Sequence, residues 1–190
     1  MKLLKNKFLL LILALFMVFG TACDSDKDKP IKIGVAGPHS GDLAPYGIPP
    51  KNAVMLAAEK INAAGGLLGR KVEIIAEDDV CKPEIATNVA SKLVGEGVVA
   101  VIGHVCSGAT IAALSVYRDN NIPVISPSAT NPDITMGGQN PLFFRTIPHD
   151  AAQAVLQAKF IDEFLKAKTV AVIHDKGDYG KGLATLVKEG

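Results

Sequence analysis

The stretch VVAVIGHVCSGAT, Val98–Thr110, constrains the chain most. Its first half is a continuous apolar run, the pattern of a parallel strand covered on both faces. Its second half passes through Gly103 into small and hydroxyl residues, and Ser107-Gly108 read as the opening of a helix. A helix start leaves N–H groups unpaired and carries partial positive charge, so a strand delivering its chain there builds a seat for an anion. Ser107 adds a hydroxyl at the same place, and a small carboxylate is the expected occupant. A plain N-cap is the simpler role for Ser107. A hydrolase nucleophile fits poorly, because Val105 stands two residues earlier where a nucleophile elbow needs a small residue.

The same alternation runs through the chain. Strands are expected at Ile31–Val35, Lys71–Ala76, Val98–Ile102 and Pro123–Ser126. Helices are expected at Pro50–Ala64, with Val54, Leu56, Ala57, Ala58 and Ile61 at helical spacing, at Pro83–Leu93 with proline at its first position, and at Gly108–Tyr117. Short connections make a parallel, doubly wound α/β sheet the economical fold. Ligands of such sheets gather at the carboxyl ends of the strands. Those ends are Gly37–Tyr46, Asp78–Cys81, His104–Ser107 and Pro127–Thr130. In the last of them, the Thr130 hydroxyl and the Ser128 carbonyl are groups that could meet an ammonium or a carboxylate. An ordinary turn is the plainer reading of the same residues. Tyr46 and Tyr179 both fall in Tyr-Gly loops after strands, where their rings could line a shallow apolar pocket. A further helix (Ala151–Leu165), strand (Thr169–His174) and turn (Asp175–Gly180) follow, and the sequence reaches Gly190 inside another helical pattern.

Residues 1–22 read as an export signal: Lys2, Lys5 and Lys7, then the apolar run Phe8–Gly20, then small residues before a cut. Removing them takes three lysines and no acid from a chain of formal charge +1. Such a balance supplies no basic face for nucleic acid, and the absence of Trp argues against stacking platforms for bases. Residues 23–30 form a charged tether, expected to be disordered. Three cysteines are an odd number for an oxidising compartment. Cys23 directly follows the small residues, where a lipoprotein cysteine is acylated, although Gly20 replaces the usual Leu. Cleavage after Ala22 without lipidation explains the same residues. Cys81 and Cys106 then remain to pair, and closing their loop would stabilise by about 3–4 kcal/mol.

Other chemistry is thin. His104 with Cys106 could form a base and thiol nucleophile, but a disulfided sulfur cannot attack. Asp78-Asp79 lack further ligand spacing and read as solvated or helix-facing charges at a strand end. The four histidines show no metal-ligand pattern, and Gly177–Gly182 lack the ending of a phosphate loop. No catalytic residue, metal or cofactor is expected.

The segments IKIGVAGPHSGDLAPYG, INAAGGLLGRKVEII, DDVCKPEIA, VIGHVCSGAT, ISPSATNPDIT, FFRTIPHD and AVIHDKGDYGKGLA occur in an order that resembles the periplasmic leucine/isoleucine/valine-binding proteins. The likeness runs from Ile31 to the last residue. It implies a type I periplasmic binding fold, two α/β lobes closing on a free leucine, isoleucine or valine, in a monomer serving an inner-membrane ABC permease. By position, Ser107 would bond the ligand carboxylate. Thr130 would give its N–H to that carboxylate and its hydroxyl to the ammonium, and the Ser128 carbonyl would accept from the ammonium. Ala129, Cys106 and Val105 would border the ligand, Val105 trimming a wall that is usually Leu. Tyr46 and Tyr179 would flank the side chain, and Cys81–Cys106 would be the family disulfide. The family is about twice as long as the mature chain, so residues 31–150 would be a first lobe and residues 151–190 the truncated start of a second. An acid for the ammonium is expected in the missing part, without which the cleft would bind poorly. Rival readings are a same-fold receptor for an amide, urea or aromatic acid, a sensor ectodomain, and an exported thiol enzyme.

Overall fold

The computed structural model describes residues 29–190; the signal segment, Cys23 and nearly all of the tether lie outside the described residues. The tether's last two residues are held: the Arg70 guanidinium donates to the carbonyls of Lys29, at 2.7 Å, and Pro30, at 3.3 Å.

Five parallel strands, β1 (Ile31–Gly37), β2 (Val72–Asp78), β3 (Ala100–Ile102), β4 (Val124–Ser126) and β5 (Phe143–Arg145), form one sheet in the order β2-β1-β3-β4-β5. The order reverses between β1 and β3, so the chain diverges there and opens a crevice at the strands' carboxyl ends. The helices are α1 (Ala44–Ala63), α2 (Pro83–Gly95), α3 (Ser107–Asp119), the single turn α4 (Asp133–Met136), α5 (Asp150–Lys159) and α6 (Asp178–Glu189). Pro83 opens α2 as expected, its missing N–H falling where a helix has no partner to offer. The core joins one sheet face to α2 and α3. Ala86, Val89, Ala90 and Leu93 meet Ala109, Ala113, Leu114 and Tyr117 over Val101, Val124 and Phe143.

Four elements differ from the sequence reading. The first helix begins at Ala44, not Pro50, and takes Pro49 and Pro50 into its interior; Gly47 anchors it, because a Cβ there would overlap the Pro38 carbonyl. Of its apolar stripe only Ala58 is buried, while Leu56 and Ile61 are exposed. Strand β5 has no alternating pattern to announce it, and forms because its backbone pairs with β4, Phe143 beside Val124 and Arg145 beside Ser126. The Ala151–Leu165 helix changes at Phe160 into a wider turn, Phe160–Phe164, whose two rings stack at 4.9 Å. Thr169–His174 is not a strand: no neighbour in the sheet satisfies its backbone, and Ile173 is 90 % exposed.

The β2 end is tied down by two acids with different surroundings. Asp78 accepts from the His39 and Val80 N–H groups, at 2.8 and 2.9 Å, and from the Ser40 hydroxyl. Burial pushes its carboxyl up, but these bonds outweigh it and hold the group below its ordinary value. Asp79 is wholly buried rather than solvated. Its Oδ2 lies 2.5 Å from His104 Nδ1, and His104 Nε2 lies 3.0 Å from the Tyr117 hydroxyl. In a neutral imidazole that donates from Nδ1 to Asp79, Nε2 is left to accept from the Tyr117 hydroxyl. Burial first, and the Asp79 charge second, raise the Tyr117 phenol far above its usual range.

Two predictions follow from these acids. Asp79→Ala leaves a buried imidazole N–H without its acceptor and should destabilise by about 1–3 kcal/mol in urea denaturation, and Tyr117→Phe should also lose about 1–3 kcal/mol. The lowered Asp78 carboxyl contributes stability that is present above the unfolded carboxyl range and lost as pH falls through its folded value. Asp78→Asn should therefore flatten the acid limb of a Tm-against-pH curve, and an unchanged limb would contradict that role.

Candidate functional site

The crevice takes its shape from two strand-end loops. Gly103, at φ +138°, turns the chain out of β3; a Cβ there would strike the Ala36 carbonyl, so only glycine fits between the strands. His104 then turns inward to Asp79 and Tyr117, and Cys106 joins Cys81 in a disulfide with Cα atoms 5.5 Å apart. The alternative of a free Cys106 thiol beside a His104 base is not found: the ring is buried and the sulfur is in the expected disulfide. The N-cap of α3 is Cys106, in extended conformation, and Ser107 is the first helical residue rather than the cap. The disulfide occupies the Cys106 side chain, and the first backbone bond of the helix runs from Thr110 N–H to the Cys106 carbonyl at 2.9 Å. The N–H groups of Ser107, Gly108 and Ala109 thus have no acceptor within the helix.

The β4 loop is built around Ser126. Its hydroxyl donates to the His104 carbonyl at 2.6 Å and accepts from the Ser128 and Ala129 N–H groups at 3.2 and 2.9 Å. Next to it, Asn131 N–H donates to the Ser107 hydroxyl at 3.2 Å. This bond clamps the two loops together and sets Thr130 beside the start of α3. Because Ser107 Oγ accepts there, its own proton is left to donate outward. The Thr130 N–H and hydroxyl and the Ser128 carbonyl have no hydrogen-bond partner among the described residues. One edge therefore carries two donors fit for an anion and two acceptors fit for a cation.

The remaining candidates divide. Ala129 is fully buried, with its N–H taken by Ser126 and its carbonyl by Arg145 at 2.9 Å, so it holds the loop. Val105 is buried against Gly37, where an added Cβ would lie 2.9 Å from its Cγ2. Tyr46 and Tyr179 are exposed, and each sits in the first turn of a helix, α1 and α6, instead of in a loop. Both helices start earlier than their apolar patterns suggest. The start of α6 reaches the clamp: Asp178 points its carboxylate at Gly108, and its carbonyl accepts from Asn131 Nδ2 at 3.4 Å.

Three neighbours of the site were not singled out from sequence. Arg145 donates to the carbonyls of Ala129 and Asn131, at 2.9 and 3.2 Å, and to the Thr135 hydroxyl at 2.8 Å. Asn131 bridges both loops and α6. Asp150, the first residue of α5, donates its N–H to the Thr130 carbonyl at 2.9 Å, while its carboxylate is buried. Asn131-Pro132 is at least a local turn signal; Arg145 and Asp150 arrive through β5, which has none.

Comparison with known proteins places this arrangement in context. The periplasmic binding protein family matches residues 30–190. The "Leucine-, isoleucine-, valine-, threonine-, and alanine-binding protein" of Pseudomonas aeruginosa is 44% identical over 186 residues, 98% of this chain and 48% of the relative. The Leu/Ile/Val-binding protein of Escherichia coli K12 is 42% identical over 162 residues, 85% of this chain and 44% of the relative. Among solved structures, the branched-chain amino acid transporter substrate binding protein LivJ from Streptococcus pneumoniae, in complex with isoleucine, superposes with a TM-score of 0.77 at 36% identity, covering 85% of this chain and 46% of that one. The chain spans just under half the length of these relatives. The sheet and its loops are those of the type I fold, and the chain belongs to the periplasmic binding protein family.

Proposed function

We propose that this chain supplies the first lobe, residues 31–150, and the opening of the second, residues 151–190, of an extracytoplasmic substrate-binding protein that delivers a branched-chain amino acid to an ABC permease. The observation that carries the reading is the Asn131–Ser107 bond, which sets complementary groups on one edge. The Ser107 hydroxyl and Thr130 N–H suit a carboxylate, with the N-terminus of α3 behind them. The Thr130 hydroxyl and Ser128 carbonyl suit an ammonium. A free amino acid presents both charges at one carbon. The relatives are binding proteins rather than enzymes, and the paired Cys106 gives a thiol mechanism no nucleophile. Tyr46 and Tyr179, each exposed on its helix, are the rings that would enclose an aliphatic side chain. Cys23 would carry the lipid that keeps a monomeric receptor at the membrane.

The full-length gene product should show a rise in Tm with leucine, isoleucine or valine. Ser107→Ala together with Thr130→Ala should abolish that rise while leaving the ligand-free Tm within a few degrees. An undiminished rise in the double variant would remove these residues from the site. 4-Methylpentanoate, which is leucine without its ammonium, should give little or no rise; a rise equal to that with leucine would favour a receptor for simple carboxylic acids.

A further inference from the structure

Beside the clamp the Thr130 hydroxyl and both carboxylate oxygens of Asp150 are left without hydrogen-bond partners, as is Nδ1 of the neighbouring His149. Asp150 has no exposed surface at all. A buried carboxylate that its own fold does not satisfy is costly and calls for a reason. The two residues are joined through their backbones, Asp150 N–H donating to the Thr130 carbonyl at 2.9 Å, so their side chains leave from adjoining points. We infer that Asp150 is a positioning residue for ligand recognition: its carboxylate draws the Thr130 hydroxyl proton toward itself and leaves the hydroxyl lone pairs facing the ligand ammonium. This rests on the amino-acid reading above.

The chemistry leaves little choice of direction. An ionised carboxylate only accepts, so the one proton shared between these two groups belongs to Thr130. An ammonium only donates, so a hydroxyl that meets it must present a lone pair. A threonine free to rotate would present its proton part of the time; one committed to Asp150 would not. The surroundings act on the same charge. Burial pushes the Asp150 carboxyl up, and the nearby Thr130 hydroxyl, the Arg145 guanidinium and His149 oppose that rise. Arg145 spends its hydrogen bonds on Ala129, Asn131 and Thr135, so it balances the charge of Asp150 without occupying its oxygens. An acid in the first turn of α5 is also favoured by the helix dipole. That effect would hold equally for an exposed carboxylate and does not account for two buried, unpartnered oxygens.

Titration calorimetry with leucine on the full-length gene product tests the inference through a cycle of Asp150→Ala, Thr130→Val and the double variant. Asp150→Ala should weaken leucine binding about tenfold or more. In the Thr130→Val background, the same change should alter Kd less than about twofold, because the group through which it acts is gone. Asp150→Asn keeps an acceptor oxygen and should lose less than Asp150→Ala; it also replaces Asp150→Ala in the cycle if that variant fails to fold. Equal losses in both backgrounds would assign Asp150 a role independent of Thr130 and overturn the inference. So would wild-type affinity in Asp150→Ala when Thr130→Val is impaired, with the amino-acid reading left standing. A wild-type protein that binds none of leucine, isoleucine and valine would remove that reading and the inference together.

Discussion

His104 is where the strand-end region is locked. Its ring joins Asp79 at the end of β2 to Tyr117 on α3, and its carbonyl receives the Ser126 hydroxyl from β4. All four residues are buried, so each polar contact acts where water cannot replace it. This junction gives the loops after β2, β3 and β4 one common buried reference. The Cys81–Cys106 disulfide spans the same gap covalently, one side chain further out. The site therefore rests on a polar core beneath it, while the apolar core of α2 and α3 holds the strands that lead to it.

From that base, the clamp is a matter of which lone pairs and protons are already used. Ser126 consumes the Ser128 and Ala129 N–H groups, and Arg145 consumes the carbonyls on either side of Thr130. Asn131 uses one lone pair of Ser107. The groups left over are complementary to a carboxylate and an ammonium set side by side. On the proposed reading, selectivity for a zwitterion would arise by elimination within the loop. Its charges would be met by backbone groups, hydroxyls and a helix start rather than by a full counter-charge in this lobe.

Much of this was legible along the chain. Ser107, Ser128 and Thr130 sit in short strand–loop–helix units whose apolar runs and small residues are local signals, and the parallel sheet follows from their alternation. The pairing of Cys81 with Cys106 came from counting. Other features were not legible because nothing local marks them. β5 has no strand period and exists through its register with β4. Asp79 reads as a surface acid beside Asp78 until the fold sets a histidine against it. Thr169–His174 has the composition of a strand but pairs with none among the described residues, and Tyr46 and Tyr179 fall inside helices whose starts lie upstream of their apolar patterns.

The sequence by itself determined the unit of construction, an apolar run opening into a helix start with a hydroxyl, because strand burial and helix capping are decided within a few residues. Only the tertiary structure decided which groups remained free at that start. Whether a hydroxyl donates outward or inward depends on partners that arrive from distant segments, as Asn131 does for Ser107, and no local pattern records their approach.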